Sequence, residues 1–174
     1  MIQEVSIETA AIEDFNGIRR VVHDVWPVAY KTVITPQQID YMLRMMYDDE
    51  SLLKQMMEEN CEFILAKVKD EIVGFASYSE MASGEFKLHK LYVLTSQQGK
   101  NTGRRLLDEV CNRATKHGGK RLELQVNKKN EPAINFYHRN NFIIDHEDVF
   151  DIGNGFVMDD YIMVKHLALD LSSE

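Results

Sequence analysis

Apolar residues recur along the chain with two different periods, and the change from one to the other divides the sequence. Val5-Ser6-Ile7 alternates weakly and predicts a first strand. Over residues 12–25, Ile12, Phe15, Ile18, Val21, Val22 and Val25 follow helical spacing. Gly17 is a poor helix former inside that stretch, costing up to ~1 kcal/mol against Ala. Thr35-Pro36 reads as an N-cap followed by proline at the first helical position, and Ile39, Met42, Leu43 and Met46 form the stripe of a second helix. Ser51 is expected to cap a short third helix carrying Leu52, Leu53, Met56 and Met57. The methionines on these helices read as core filler, with a flexible ligand-contacting wall as the alternative.

After residue 60 the period becomes two. Residues 61–69 and 72–80 are strand-like runs split by Asp70-Glu71, a hairpin signal, and 86–94 predicts another strand. Leu106, Leu107, Val110, Cys111 and Ala114 mark an amphipathic helix over 103–117, followed by the alternating strand Leu122, Leu124, Val126. Residues 131–140 predict a short helix with Pro132 in its first turn. Strands at 142–150 and 156–166 meet around Gly153-Asn154-Gly155, a hairpin turn. The order β-α-α-α-β-β-β-α-β-α-β-β mixes antiparallel hairpins with one β-α-β unit, so the class is α/β or α+β with a mixed sheet. No internal repeat or low-complexity linker interrupts the 174 residues, which predicts a single domain over 1–174.

The composition, 44% apolar and 28% charged, is that of a globular chain and excludes disordered and collagen-like classes. The longest apolar runs are strand-sized, far below the ~20 residues of a membrane-spanning helix. Only Cys61 and Cys111 occur, and Met1-Ile2-Gln3-Glu4 lacks the basic region of a signal peptide, so a reducing cytoplasm is the expected location. The histidines show no close metal-ligand spacing with Cys or His, and no metal is expected. A net charge of −8 argues against nucleic acid as a partner. That charge is uneven. Residues 1–60 hold five Lys/Arg against eleven Asp/Glu, residues 61–142 hold fourteen against nine, and residues 143–174 hold one against eight. Either this is scatter over a solvated surface, or the middle meets an anion while the flanks do not.

Candidate chemistry concentrates in the basic middle. After the strand ending Leu91-Tyr92-Val93, the polar loop Gln98-Gly99-Lys100-Asn101-Thr102-Gly103-Arg104 leads straight into an amphipathic helix. Free N–H groups of such a loop and of the helix N-terminus converge into an anion site, which Lys100, Arg104 and Arg105 would reinforce. A plain connection is the alternative for this loop taken alone. It is neither a GxGxxG nor a nucleoside-triphosphate loop.

This segment resembles motif A of the GNAT superfamily of N-acetyltransferases, whose loop reads Gln/Arg-x-x-Gly-x-Gly/Ala. Gln98 and Gly103 match its ends, and Asn101 stands where the middle Gly is usual. Asn tolerates a left-handed backbone better than other ordinary residues, so the turn can survive. Lys87-Leu88-His89-Lys90-Leu91-Tyr92-Val93 resembles the family's fourth strand. Leu122-Glu123-Leu124-Gln125-Val126 with Asn130, Ala133, Phe136-Tyr137 and Asn141-Phe142 resembles motif B, with Asn141 again replacing a Gly. The resemblance covers residues 61–142. It implies a mixed, mostly antiparallel central sheet flanked by helices, with splayed fourth and fifth strands.

The same resemblance implies acetyl-coenzyme A as donor and direct transfer to an amine. The loop Gln98 to Arg104 would hold the pyrophosphate, the edges of Leu91 and Val93 the pantetheine arm, and the Val93 N–H the oxyanion. Tyr137 matches the family's general acid, the alternative being a core aromatic beside Phe136. Asn130 matches its cofactor-side Asn, and also suits a helix N-cap. The Glu many relatives carry on the fourth strand is replaced by Lys87. His89 becomes a candidate base, with a structural role or a water chain as alternatives.

In the family the first helices and the last hairpin border the acceptor, and these are the acidic stretches. Trp26 and Tyr30 could wall that pocket or simply pack in the core. The expected acceptor is a small cationic amine such as a polyamine. The alternatives are a non-catalytic acyl-coenzyme A binding module and a protein N-acetyltransferase. Family members often dimerise, so a homodimer is compatible with the sequence.

Overall fold

The protein is described from a computed structural model covering residues 4–168. After β1 (Val5–Thr9), a 3-10 turn (Ile12–Asp14) leads into α1 (Phe15–Ala29), in which Phe15, Ile18, Val21, Val22 and Val25 are buried as their spacing predicts, whereas Ile12 precedes the helix and is exposed. The helix runs on through Pro27 to Ala29. Gly17 has a packing reason: a Cβ there would lie 2.4 Å from Ile72 Cδ1, so the missing side chain lets α1 settle onto the sheet. In α2 (Pro36–Tyr47) the Thr35 hydroxyl accepts the Gln38 N–H at 3.1 Å. The cap of α3 (Asp49–Met57) is Asp48, not Ser51. Asp48 has extended backbone and accepts the Ser51 N–H at 2.7 Å, while the Ser51 hydroxyl donates to Met45 O. A carboxylate outcompetes a hydroxyl here because it is charged and sits at the helix's positive end.

Six further strands follow: β2 (Glu62–Val68), β3 (Glu71–Ala82), β4 (Glu85–Val93), β5 (Arg121–Asn127), β6 (Ile143–Gly153) and β7 (Phe156–His166). Helix α4 (Thr102–Lys116) joins β4 to β5, and α5 (Glu131–Arg139) joins β5 to β6. Among the described residues the strands form one sheet in the order β1-β2-β3-β4-β5-β7-β6. Every pairing is antiparallel except β4 with β5. This is the mixed, mostly antiparallel sheet that the sequence predicts.

Two irregularities in β4 prepare the site. Its parallel pairing with β5 covers only Glu85–Leu88 against Arg121–Leu124, after which the ladder stops. On its other side the register with β3 slips between Ser77↔Lys90 and Tyr78↔Leu88, so His89 is an unpaired bulge residue. Each face of the sheet has its own core. Helices α1, α2 and α3 cover Phe63, Leu65 and Phe75 on one side, and α4 covers Ile64, Ala76, Leu122 and Leu124 on the other. Of the four stripe methionines, Met42 is buried, Met46 and Met56 are half-buried and Met57 is exposed. Core filling therefore describes only part of the set.

Candidate active site

The loop after β4 is shaped by two left-handed residues, Gly99 (φ 76°) and Asn101 (φ 63°). Asn101 is the N-cap of α4, and the first bond of the helix runs from Arg105 N–H to Asn101 O at 3.0 Å. The amides of Thr102, Gly103 and Arg104 precede that bond and have no intrahelical acceptor. Thr102 is 1% exposed, and its hydroxyl has no hydrogen-bond partner among the described residues. Lys100 and Arg104 are exposed, and Arg104 loosely pairs with Asp108 at 3.7 Å. Because Asn pays a small cost for a left-handed backbone and Gly none, Asn101→Gly is expected to keep the fold and stabilise it by a few tenths of a kcal/mol. Asn101→Val should destabilise by about 1–2 kcal/mol, both read from thermal melts.

The edge of β4 faces this loop. Leu94 N–H donates to Val73 O at 2.8 Å. In an antiparallel ladder the bonded residues alternate, so Tyr92 faces β3, and the backbone groups of Leu91 and Val93 face the gap toward β5. The Val93 carbonyl accepts Gln98 Nε2 at 3.2 Å. Gln98 thus ties the loop to the strand edge.

Two cavities meet at this gap. The larger, about 1010 Å³, runs over Gln98, Gly99, Asn101, Thr102, Gly103 and Arg104 and along Leu91 and Val93. The smaller, about 270 Å³, lies between α1, α2, β4, β5 and the last hairpin. Both are lined by Tyr30, Leu91, Tyr92, Asn130, Ala133 and Tyr137. Tyr137 projects from α5, with ring centroids 5.3 Å from Phe136 and 5.5 Å from Phe142. Burial first, and the nearby Tyr30 second, push its hydroxyl well above the ordinary phenol range. Asn130 is the cap of α5, its Oδ1 accepting the Ala133 N–H at 3.4 Å. Asn141 adopts φ 69° and leads into the buried Phe142, so both Asn-for-Gly replacements fall on left-handed positions. Trp26 is at once core and cavity wall: it is 2% exposed, packs 4.8 Å from Tyr30 and 5.8 Å from Tyr92, and lines the smaller cavity. The Tyr30 and Tyr92 hydroxyls are 3.1 Å apart.

The charged wall differs from expectation. The bulge turns both His89 and Lys90 toward the α1–α3 side. There His89 Nε2 is 2.7 Å from the Ser79 hydroxyl. Burial, aided by Lys90 and Lys87, lowers the imidazole to about 4, so it is neutral near pH 7. Lys90 bonds to Gln55 Oε1, lies 5.3 Å over the Tyr47 ring, and is lowered to about 8 by burial. Of the residues with acidic side chains that crowd the chain's two ends, the smaller cavity is lined only by Asp160, among the described residues. Asp160 on β7 is 5% exposed, and its Oδ1 has no hydrogen-bond partner among them. Sequence reasoning missed it, although Met158, Asp160 and Ile162 share one face of β7, so a charge there falls on an inward position.

Several known proteins are similar to this chain. The family model described as the acetyltransferase (GNAT) family matches residues 21–142. An uncharacterized N-acetyltransferase of Mycobacterium tuberculosis is 25% identical over 155 residues, covering 89% of this chain and 99% of that protein. The crystal structure of PaiA N-acetyltransferase from Thermoplasma acidophilum, in complex with coenzyme A, matches with a TM-score of 0.81 at 24% identity, covering 94% of this chain and 99% of that one. A GNAT-family acetyltransferase from Staphylococcus aureus matches with a TM-score of 0.72 at 17% identity, covering 95% and 100%. These structures share the fold, and the family model spans well over half of the sequence, from inside α1 to the start of the last hairpin: the chain belongs to the GNAT family of acetyltransferases.

Proposed function

We propose that the protein transfers an acetyl group from acetyl-coenzyme A to the primary amine of a small molecule. The observation that carries this reading is the meeting of a long groove and a small cavity at Tyr137 and the free edge of β4. The groove's residues suit coenzyme A. The amides of Thr102, Gly103 and Arg104, with the unpartnered Thr102 hydroxyl, offer donors to a pyrophosphate, and Lys100 and Arg104 add positive charge. Gly99 and Asn101 shape that turn, Gln98 fixes it to Val93 O, and Asn130 borders both cavities. Leu91 and Val93 offer a β-edge to the peptide-like pantetheine.

Bound acetyl-coenzyme A supplies an activated acetyl group as a thioester. The Val93 N–H stabilises negative charge on the thioester oxygen, a contribution of ~3 kcal/mol for such a donor. The acceptor nitrogen sheds one proton to water, then a second as the N–C bond forms and the C–S bond breaks. Tyr137 gives its hydroxyl proton to the departing sulfur and regains one from the nitrogen. His89 is a weak base in these surroundings: lowered to about 4, its imidazole is neutral near pH 7 but has little affinity for the proton it would have to take. We assign it to positioning β4 through Ser79 and leave deprotonation to water.

The test follows thiol release from acetyl-coenzyme A across an amine panel, with coenzyme A binding measured by calorimetry. Release that depends on an amine supports the reading. Tight coenzyme A binding with no release on any amine overturns it in favour of a binding module.

A further inference from the structure

The uneven charge of the sequence does not carry over to the smaller cavity. The segment before residue 60 lines it with rings and methionines, Trp26, Tyr47 and Met46 among them, and the last hairpin adds Phe150 and Met158. Only Asp160 brings negative charge to these walls among the described residues, while β4 contributes Lys87 and Lys90. We propose that the acceptor is a primary monoamine with an apolar body, whose ammonium Asp160 draws into the cavity before the nitrogen sheds its proton to water and attacks. This rests on the acetyl-transfer reading above and fixes the class of its second substrate.

Three observations carry it. A carboxylate 5% exposed, with an oxygen that finds no partner among the described residues, calls for a cation from outside the chain. The rings that line the same cavity, Trp26, Tyr30 and Tyr92, suit an apolar body. A second ammonium, as in a polyamine, meets no second carboxylate among the described lining residues and is repelled by Lys87. The cavity's 270 Å³ also lies at the small end of ligand sites, which suits a compact acceptor.

The experiment compares phenethylamine and hexylamine with 1,4-diaminobutane and spermidine. The monoamines are expected to show kcat/KM about tenfold higher or more, the effect of one unfavourable charge contact. Asp160→Asn should raise the KM for phenethylamine about 30-fold and leave coenzyme A affinity within about twofold. Lys87→Met should narrow the gap by improving 1,4-diaminobutane. Equal or better turnover of spermidine, or an unchanged KM in Asp160→Asn, overturns the proposal. If no amine releases thiol, the acetyl-transfer reading fails, and calorimetric titration of phenethylamine into the coenzyme A-saturated protein decides this one separately. Binding lost in Asp160→Asn upholds it, and no binding to the unaltered protein overturns it.

Discussion

Replacing Tyr137 by Phe is expected to lower kcat about 100-fold or more, the range of a lost general acid, while coenzyme A affinity changes by less than about twofold. Tyr137 lines both the groove and the small cavity, on a helix capped by Asn130. Burial keeps its proton on throughout the neutral range, so it is available as a donor whenever the sulfur needs one. The ring contacts with Phe136 and Phe142 survive the substitution, and the effect should fall on turnover and not on stability. Thiol-release kinetics with calorimetric coenzyme A binding separate the two. A kcat that holds in Tyr137→Phe would mean that water protonates the sulfur, and the role would pass from this residue.

The second large effect is on stability. Asp160 is raised from about 3.8 to about 6, first by burial and then by Asp159, with Lys87 and Lys128 pulling the other way. Asp159 is itself paired with Lys128 at 2.6 Å, Tyr30 acts on the group from the C-terminal cap of α1, and Asp148 lies opposite it in the β6 register. A folded-state value above the unfolded one means that the ionised carboxylate destabilises the fold. This penalty is fully present above about pH 6 and disappears below about pH 4. Two units correspond to roughly 3 kcal/mol. Asp160→Asn should therefore stabilise the protein at pH 7.5 by about 2 kcal/mol, a rise in Tm of about 4–8 °C, and the gain should fade as pH is lowered through 6 to 4. Melts of both proteins across that range check it. A variant no more stable at pH 7.5 than at pH 4 would show that the charge is satisfied already.

What the sequence disclosed follows from which forces act locally. Periodicity locates α4 and every strand to within a few residues, because facing the core is a property each segment carries in its own pattern. The loop from Gln98 to Arg104 was legible for the same reason: a left-handed turn and a helix start are written in adjacent residues. Asp48 and Ser51, three residues apart, both carry capping side chains, and the extended backbone at Asp48 together with its charge decides between them. His89 and Lys90 end on one side of the sheet through a bulge that depends on β3, which alternation within β4 alone does not reveal. The charge sums are true of the chain and misleading for the cavity, since among the described residues most acids in those stretches face solvent and Asp160 alone reaches the wall. Its place depends on β7 lying beside β5, a pairing of distant segments.

The rings at the junction also make the protein its own optical reporter. Trp26 is the one tryptophan in the sequence, and it is buried against Tyr30 and Tyr92, residues common to both cavities. Its emission therefore comes from a single, buried environment that borders the smaller cavity directly and the larger through Tyr30. An acceptor entering beside the indole changes that environment at once, whereas a molecule confined to the groove acts only through the tyrosines. Intensity and wavelength thus distinguish the two occupancies without a label, and rapid mixing turns the same signal into the order in which the two substrates arrive.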